Sequence, residues 1–157
     1  MKRAVRAMSL IVGFGLIALL GALAVIRLAP TNVDDWQVEL ANPRPVGLPI
    51  VAVPVGADPV VVLRNGAYAD LIGAGEASVL LAKIDAIALA TPRTIRFAGS
   101  MDEGHVTWET RSLFWGFPDY TTAQVTAGGL VIYARQRFGA GDWGVNAARL
   151  RGWLARL

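Results

Sequence analysis

The chain has 157 residues, of which 54% are hydrophobic and 17% are charged, and it contains no cysteine and one histidine. This composition excludes a disordered chain, which needs low hydrophobicity and high charge, and it excludes disulfides and metal sites built from thiolates or several histidines. The formal net charge is +3, but residues 1–29 hold four basic residues and no acidic one, so the rest of the chain is close to neutral. A nucleic-acid surface needs an excess of clustered Lys and Arg, and we therefore expect no nucleic-acid partner.

The first predicted element is a membrane-spanning helix. Met8 to Ile26 is a run of nineteen residues without a charge, and a helix of that length covers about 28 Å, close to the hydrocarbon core of a bilayer. Lys2, Arg3 and Arg6 precede the run, so the positive-inside rule places the N-terminus in the cytoplasm. We predict that residues 1–29 form a cytoplasmic tip and a transmembrane anchor whose partner is the bilayer. The protein would then be a single-pass protein of the inner membrane, with its C-terminal domain in the periplasm.

A cleaved signal peptide is the alternative interpretation of this segment. Ala22-Leu23-Ala24 matches the A-x-A pattern of a cleavage site after an apolar run. The uncharged run continues through Val25 and Ile26, which favours an anchor. Both interpretations place the rest of the chain on the same side of the membrane, and the sequence leaves the choice open.

Residues 30–75 are rich in proline, which breaks any long helix. Asn65-Gly66 is a hairpin turn signal, with apolar runs at 60–64 and 67–72 on either side. We interpret residues 30–75 as a tether that becomes an extended segment wrapping around the domain.

Regular structure is most clearly predicted over residues 76–157, which we expect to form the folded domain. A helix is predicted at 76–90 and another at about 145–157, because apolar residues recur there at helical spacing. Between them, four strands are predicted at Thr94–Ala98, His105–Phe114, Tyr120–Thr126 and Leu130–Phe138. The short links favour hairpins. The fold class is therefore α+β, with a four-stranded antiparallel meander flanked by helices in the order α-β-β-β-β-α.

The two-residue period of a strand predicts which side chains share a face of the sheet. Apolar residues, with Ile95 and Phe97 among them, are expected to face the helices. The opposite face would then carry Arg111, Arg135 and Arg137 together with Tyr120 and Tyr133. Guanidinium groups beside hydroxyl groups are suited to hold a carboxylate or a phosphate. The alternative is a solvated sheet face whose arginines pair with nearby acidic residues.

Turn length predicts how neighbouring strands pair. A two-residue turn at Gly128-Gly129 would place Arg135 opposite Thr122 across the last hairpin. The arginine cluster would then lie in rows that cross three strands.

The other residues considered for catalysis or metal binding do not form a recognisable motif. His105 follows a glycine at a predicted hairpin tip, Ser112 has no His and Asp partners at a suggestive spacing, and the acidic residues are scattered. We therefore expect no metal and no cofactor. A non-enzymatic binding or assembly module with an unidentified protein partner is the favoured function. The alternative is a binder or an enzyme for an anionic small molecule or lipid headgroup that uses the arginine cluster.

Three blocks near the C-terminus occur in an order typical of one family. They are Arg111–Tyr120 (RSLFWGFPDY), Ile132–Gly139 (IYARQRFG) and Asp142–Arg149 (DWGVNAAR). Over about residues 76–157 the chain resembles the domain of unknown function 1499 family. The resemblance implies a membrane-linked protein of bacterial or plastid type with no assigned activity, and it marks Arg111, Asp119, Arg135, Arg137, Asp142 and Asn146.

The marked acidic and amide residues also have a structural interpretation. Asp119 lies at a turn, and Asp142 and Asn146 lie at a helix start, where such side chains cap backbone N–H groups. They are also placed to pair with Arg135 or Arg137. These residues would then lock the fourth strand to the last helix, and a ligand pocket is the alternative.

Overall fold

The computed structural model describes residues 2–41, 45, 48, 57–73 and 76–157. The first element is helix α1, Lys2–Leu28, whose 27 residues extend over about 40 Å. Its stretch Arg6–Leu28 is long and apolar enough to cross a membrane, and none of it is buried against the rest of the protein. The predicted N-terminal apolar helix is confirmed in this respect.

One antiparallel sheet forms the body of the domain. Its strands are β1 (Val60–Leu63), β2 (Gly66–Ile72), β3 (Thr94–Ser100), β4 (His105–Arg111), β5 (Pro118–Thr126) and β6 (Gly129–Gln136), arranged in the order β1-β2-β6-β5-β4-β3. Two helices, α2 (Ala77–Leu89) and α3 (Val145–Leu154), complete the domain, and a short 3-10 turn covers Val33–Asp35. The α+β class and the antiparallel meander are confirmed. The sheet has six strands where the sequence analysis predicted four.

The two additional strands come from the predicted hairpin, whose two-residue turn is Arg64-Asn65 and not Asn65-Gly66, because Gly66 already pairs with Leu63. Strand β2 pairs along its whole length with β6, from Gly66 opposite Arg135 to Ile72 opposite Gly129. Pairing with the hairpin removes what would otherwise be an exposed edge of β6. Residues 60–72, predicted as part of the wrapping segment, therefore belong to the sheet. Residues 42–56, apart from 45 and 48, lie outside the described residues.

Both helices pack on one face of the sheet. Trp108 of β4 is fully buried there and meets Trp153 of α3 edge to face, with ring centroids 5.8 Å apart. The Trp108 indole donates a hydrogen bond of 2.9 Å to the Asp85 carboxylate on α2. Leu150 and Ile84 are fully buried in the same core. Burying each large apolar side chain stabilises the domain by about 1.5–3 kcal/mol.

Strand β3 has the opposite face assignment from the one that the alternation of its residues predicts. Ile95 is exposed, and Phe97 packs edge to face on Tyr120, on the side away from the helices. Arg96 lies on the helix side, where it forms a 2.5 Å ion pair with Asp85. A buried carboxylate needs charged or hydrogen-bonding partners, and Arg96 supplies one. A β-bulge between Arg96 and Ala98 also shifts the register of β3 at this point, and the prediction for Ile95 and Phe97 was wrong.

A substitution at the start of β2 tests the pairing of the hairpin with β6. A Cβ added at Gly66 would lie 2.1 Å from the Ala134 carbonyl oxygen, so we expect Gly66→Ala to lower the free energy of unfolding by about 1–3 kcal/mol. The matched control is Gly128→Ala, because its Cβ would meet nothing closer than 3.9 Å. Urea unfolding of the full chain in detergent micelles measures both. Equal stability of the two variants would contradict the pairing.

Candidate functional site

The predicted arginine cluster lies on the outer face of the sheet, the face away from α2 and α3. One row of this face runs from Glu109 through Tyr120 to Arg135 across three strands. The neighbouring row places Tyr133 opposite Thr122. Strand pairing is thus displaced by two residues from the predicted pairing of Arg135 with Thr122. An even displacement keeps the side chains of β5 and β6 on their predicted faces.

A segment that follows α1 covers this outer face, and we call residues 29–41 the strap. Trp36 of the strap stacks on the Tyr120 ring with centroids 4.3 Å apart. Leu40 is fully buried in a second apolar cluster with Val131. The Leu40 backbone N–H donates a 2.5 Å hydrogen bond to the Gln124 side chain. The strap therefore occupies the place where an external ligand was the alternative expectation.

Arg135 holds the middle of the strap. Its guanidinium donates hydrogen bonds to the Trp36 carbonyl oxygen at 2.7 Å and to the Asp35 carbonyl oxygen at 3.3 Å. It also lies over two rings, 4.8 Å from the centroid of Trp36 and 4.9 Å from that of Tyr133. Burial lowers the pKa of Arg135 from its ordinary value. The group is thus bound by main-chain oxygens and aromatic faces.

Arg137 holds the beginning of the strap. Its guanidinium donates to the carbonyl oxygens of Pro30 at 2.8 Å and Ala29 at 3.4 Å, and to the Thr31 hydroxyl. The Thr31 hydroxyl in turn lies 3.0 Å from the Tyr120 hydroxyl. Arg137 therefore joins the end of strand β6 to the residues that immediately follow α1.

Arg111 has a carboxylate partner on the same face. Its Nε atom lies 2.5 Å from Glu109 Oε1, and the Tyr120 hydroxyl donates to Glu109 Oε2 at 2.9 Å. Burial raises the pKa of Tyr120, and the Glu109 carboxylate adds to that effect. The three predicted arginines thus share a face, but two bind the strap and one binds Glu109.

The remaining marked residues form a separate cluster at the start of α3. The Asp142 carboxylate accepts hydrogen bonds from the backbone N–H groups of Gly144 at 2.9 Å and Asn146 at 3.1 Å, which is the role of a helix cap. Asp119 forms a 2.9 Å ion pair with Arg149, and Arg149 also donates to the Asn146 side chain. Burial raises the pKa of Asp119 although Arg149 acts against this shift.

Arg149 is the residue that the site prediction omitted. Asp119 was placed to pair with Arg135 or Arg137, but it pairs with Arg149, three residues after Asn146. This i, i+3 spacing on a predicted helix and the position of Arg149 in the third sequence block are the signals that point to it. The cluster connects β5 to α3.

Neither residue considered for catalysis lies in a catalytic arrangement. The His105 ring nitrogen Nε2 lies 3.2 Å from the Val38 carbonyl oxygen of the strap. The Ser112 hydroxyl accepts a 2.9 Å hydrogen bond from the Phe117 backbone N–H inside the β4–β5 loop. Within the described part of the chain, no three His, Asp or Glu residues are grouped so that they are able to hold a metal ion.

Comparisons of the chain with protein-family models, with curated proteins and with solved structures find no match. The resemblance to the domain of unknown function 1499 family therefore remains a prediction from the three sequence blocks. In the structure, those blocks supply the β4–β5 loop, the two arginines that hold the strap, and the start of α3.

Removing the guanidinium that holds the beginning of the strap tests the role of this face. We expect Arg137→Gln to speed hydrogen exchange at the Trp36 and Leu40 amides roughly ten- to hundredfold, because a hydrogen bond to a charged group contributes about 1.5–3 kcal/mol. Arg156→Gln, an equal change of charge at an exposed position, is the control. Exchange by mass spectrometry measures both, and unchanged protection in Arg137→Gln would show that Arg137 does not hold the strap.

The raised pKa of Tyr133 on the outer face predicts how the free energy of unfolding changes at alkaline pH. Burial raises the pKa of Tyr133 above its ordinary value of 10.0. The native state then keeps a proton that the unfolded chain releases, so stability present below pH 10.0 is lost as the pH rises through the native pKa. We expect the loss of unfolding free energy above pH 10 to be shallower in Tyr133→Phe, measured by urea unfolding across a pH series. Parallel profiles of wild type and variant would refute this assignment.

Proposed function

We propose that the protein is a single-pass, membrane-anchored domain that acts outside the cytoplasm as a non-enzymatic binding or assembly module. The observation that carries this proposal is the attachment of the strap. Arg137 binds the carbonyl groups of the first residues after α1, and Arg135 binds those of residues 35 and 36. The folded domain is therefore held next to the end of the apolar helix and does not hang on a free linker.

The orientation follows from the charges that flank α1. Lys2, Arg3 and Arg6 precede the apolar stretch, and the folded domain follows it. Retention of these charges in the cytoplasm supports a domain in the periplasm of a bacterium with two membranes. Signal-peptide cleavage after Ala24 would leave the strap intact, so the intact mass of the membrane-bound protein distinguishes anchor from signal peptide.

The contacts of the candidate residues support binding over catalysis. The two strap arginines and Asp142 bind main-chain groups, whereas Asp119 is neutralised by Arg149. Such contacts stabilise a fold, and they leave these groups engaged with the protein itself. A surface that recruits a partner is then expected elsewhere on the domain.

One observation favours the second candidate function, which is binding of an anionic molecule. Arg111 lies at the end of the outer face, where the strap does not cover it. It lines an open cleft of about 400 Å³ together with Arg27 and Arg93. This cleft is the part of the predicted arginine cluster that is open to a ligand.

Reporter fusions test the proposed topology. An alkaline phosphatase fused after Leu157 is expected to be active, because the enzyme works only when exported, whereas a cytoplasmic reporter fused there is expected to be inactive. Exchange of Lys2, Arg3 and Arg6 for Glu should reduce the phosphatase activity, since the charge asymmetry is then lost.

Two outcomes would contradict this proposal. Activity of only the cytoplasmic reporter would overturn the orientation. Release of the uncleaved protein from membranes by a salt or carbonate wash would overturn the anchor.

A further inference from the structure

One end of the domain lies against the end of α1, and we call it the proximal end. Strands β4 and β6 end there, and strands β3 and β5 begin there. The Arg27 guanidinium of α1 lies 3.5 Å from the Phe114 carbonyl oxygen in the β4–β5 loop. It also lies beside Gly116 of that loop. If α1 spans a membrane, the proximal end faces the surface of that membrane.

Three arginines from distant parts of the chain meet at this end. Arg27, Arg93 and Arg111 line the open cleft of about 400 Å³, and the one acidic group in its lining is Glu109. Glu109 is already bound by Arg111 and by the Tyr120 hydroxyl. The cleft therefore has an excess of positive charge, and planar guanidinium groups are suited to bind a phosphate through two hydrogen bonds each.

Large apolar side chains are exposed in two loops at this end of the domain. Leu113, Phe114 and Trp115 follow one another in the β4–β5 loop with exposed fractions of 63%, 80% and 49%. Trp143 lies in the neighbouring β6–α3 loop and is 97% exposed. Phe117 and Trp143 line a second cavity of about 310 Å³, which places the two loops side by side. A contiguous apolar patch rimmed by charges marks a surface that contacts a protein or a membrane.

The backbone at the proximal end is strained at two of these residues. Among the described non-glycine residues, positive φ angles occur at Arg93, with φ of 60°, and at Trp143, with φ of 56°. Bulky side chains rarely adopt this left-handed conformation. The Trp143 ring makes little contact with the protein to offset the strain, because it is almost fully exposed. The two residues with this strained backbone, Arg93 and Trp143, place one cation and one aromatic ring at the same end of the domain.

We propose that the proximal end docks on the bilayer that holds α1 and binds the headgroup phosphate of an anionic phospholipid in the cleft of Arg27, Arg93 and Arg111. Phe114, Trp115 and Trp143 enter the interfacial layer, where tryptophan is enriched in membrane proteins. Ile95 and Leu113 form apolar walls of the cleft, which suit the glycerol and upper acyl region. This inference rests on the proposed membrane anchorage.

Continuity with α1 favours a lipid over a soluble anion or a protein. Arg27 belongs both to the cleft and to the stretch that is long and apolar enough to cross a membrane. Its long side chain reaches from the helix end to headgroup level. A ligand beside Arg27 is then at the depth of the lipid phosphates, and the exposed aromatic rings are at the same depth.

A lipid titration of the full chain in neutral detergent micelles tests the ligand. Phosphatidylglycerol is expected to raise the Tm, whereas phosphatidylcholine and soluble glycerol 3-phosphate at equal concentrations are not. Arg93→Gln should weaken the phosphatidylglycerol effect at least tenfold in apparent affinity. Arg156→Gln removes an equal charge at an exposed position that does not line the cleft, and it should behave as wild type.

Fluorescence quenching tests the contact with the bilayer. In nanodiscs that contain brominated phospholipids, Trp115 and Trp143 should be quenched, whereas Trp108 and Trp153 are buried in the core and should not be. Trp143→Gly relieves the positive φ, so it should unfold at no lower temperature than wild type while it loses its share of the quenching.

The outcomes separate this inference from the proposed function. If glycerol 3-phosphate raised the Tm as much as phosphatidylglycerol does, the ligand would be a soluble phosphate and not a lipid. Absence of both the lipid-dependent Tm shift and the quenching, in a protein that resists carbonate extraction, would overturn the docking and leave the anchor standing. Release by carbonate would overturn both.

Discussion

Hydrogen bonds from two half-buried guanidinium groups to main-chain carbonyl groups hold this structure together on its outer face. The guanidinium groups of Arg135 and Arg137 need hydrogen-bond acceptors where water is partly excluded, and the strap carbonyls need donors for the same reason. The terminal Nη atoms of both arginines therefore pair with these carbonyl oxygens. Because the strap begins directly after α1, these bonds also set where the domain sits relative to the helix. The covered sheet face, the buried Leu40 and the orientation of the proximal end all depend on them.

The two faces of the sheet are thus covered by different elements. Helices α2 and α3 bury an apolar core on one side, centred on Trp108 and its bond to Asp85. The strap covers the other side with apolar contacts from Trp36 and Leu40 and with hydrogen bonds to side chains of the sheet. Its specificity comes from the matched donors and acceptors.

The same sequence blocks that suggested a ligand site have an architectural role at the edges of the sheet. Asp142 caps α3, Arg149 ties α3 to Asp119, and Arg137 ties β6 to the strap. These contacts bring the β4–β5 and β6–α3 loops together at the proximal end. Two residues of these blocks have largely exposed rings, Phe114 and Trp143, and these rings belong to the proposed membrane contact. The contacts named above hold the two loops that carry these exposed rings.

The sequence by itself determined the apolar helix, the α+β class, a hairpin within residues 60–72 and the face on which Arg135 lies, because local periodicity and turn chemistry carry that information. It did not determine that the hairpin pairs with β6, since strand pairing depends on which free edge lies nearby. It assigned Ile95 and Phe97 to the wrong face, because no local pattern shows the bulge between Arg96 and Ala98 or the ion pair of Arg96 with Asp85 of α2. It also could not show that Arg135 and Arg137 bind the strap, which lies about a hundred residues earlier in the chain. Contacts between segments so far apart are decided by the tertiary structure alone, because no local pattern records which partner a polar side chain will meet.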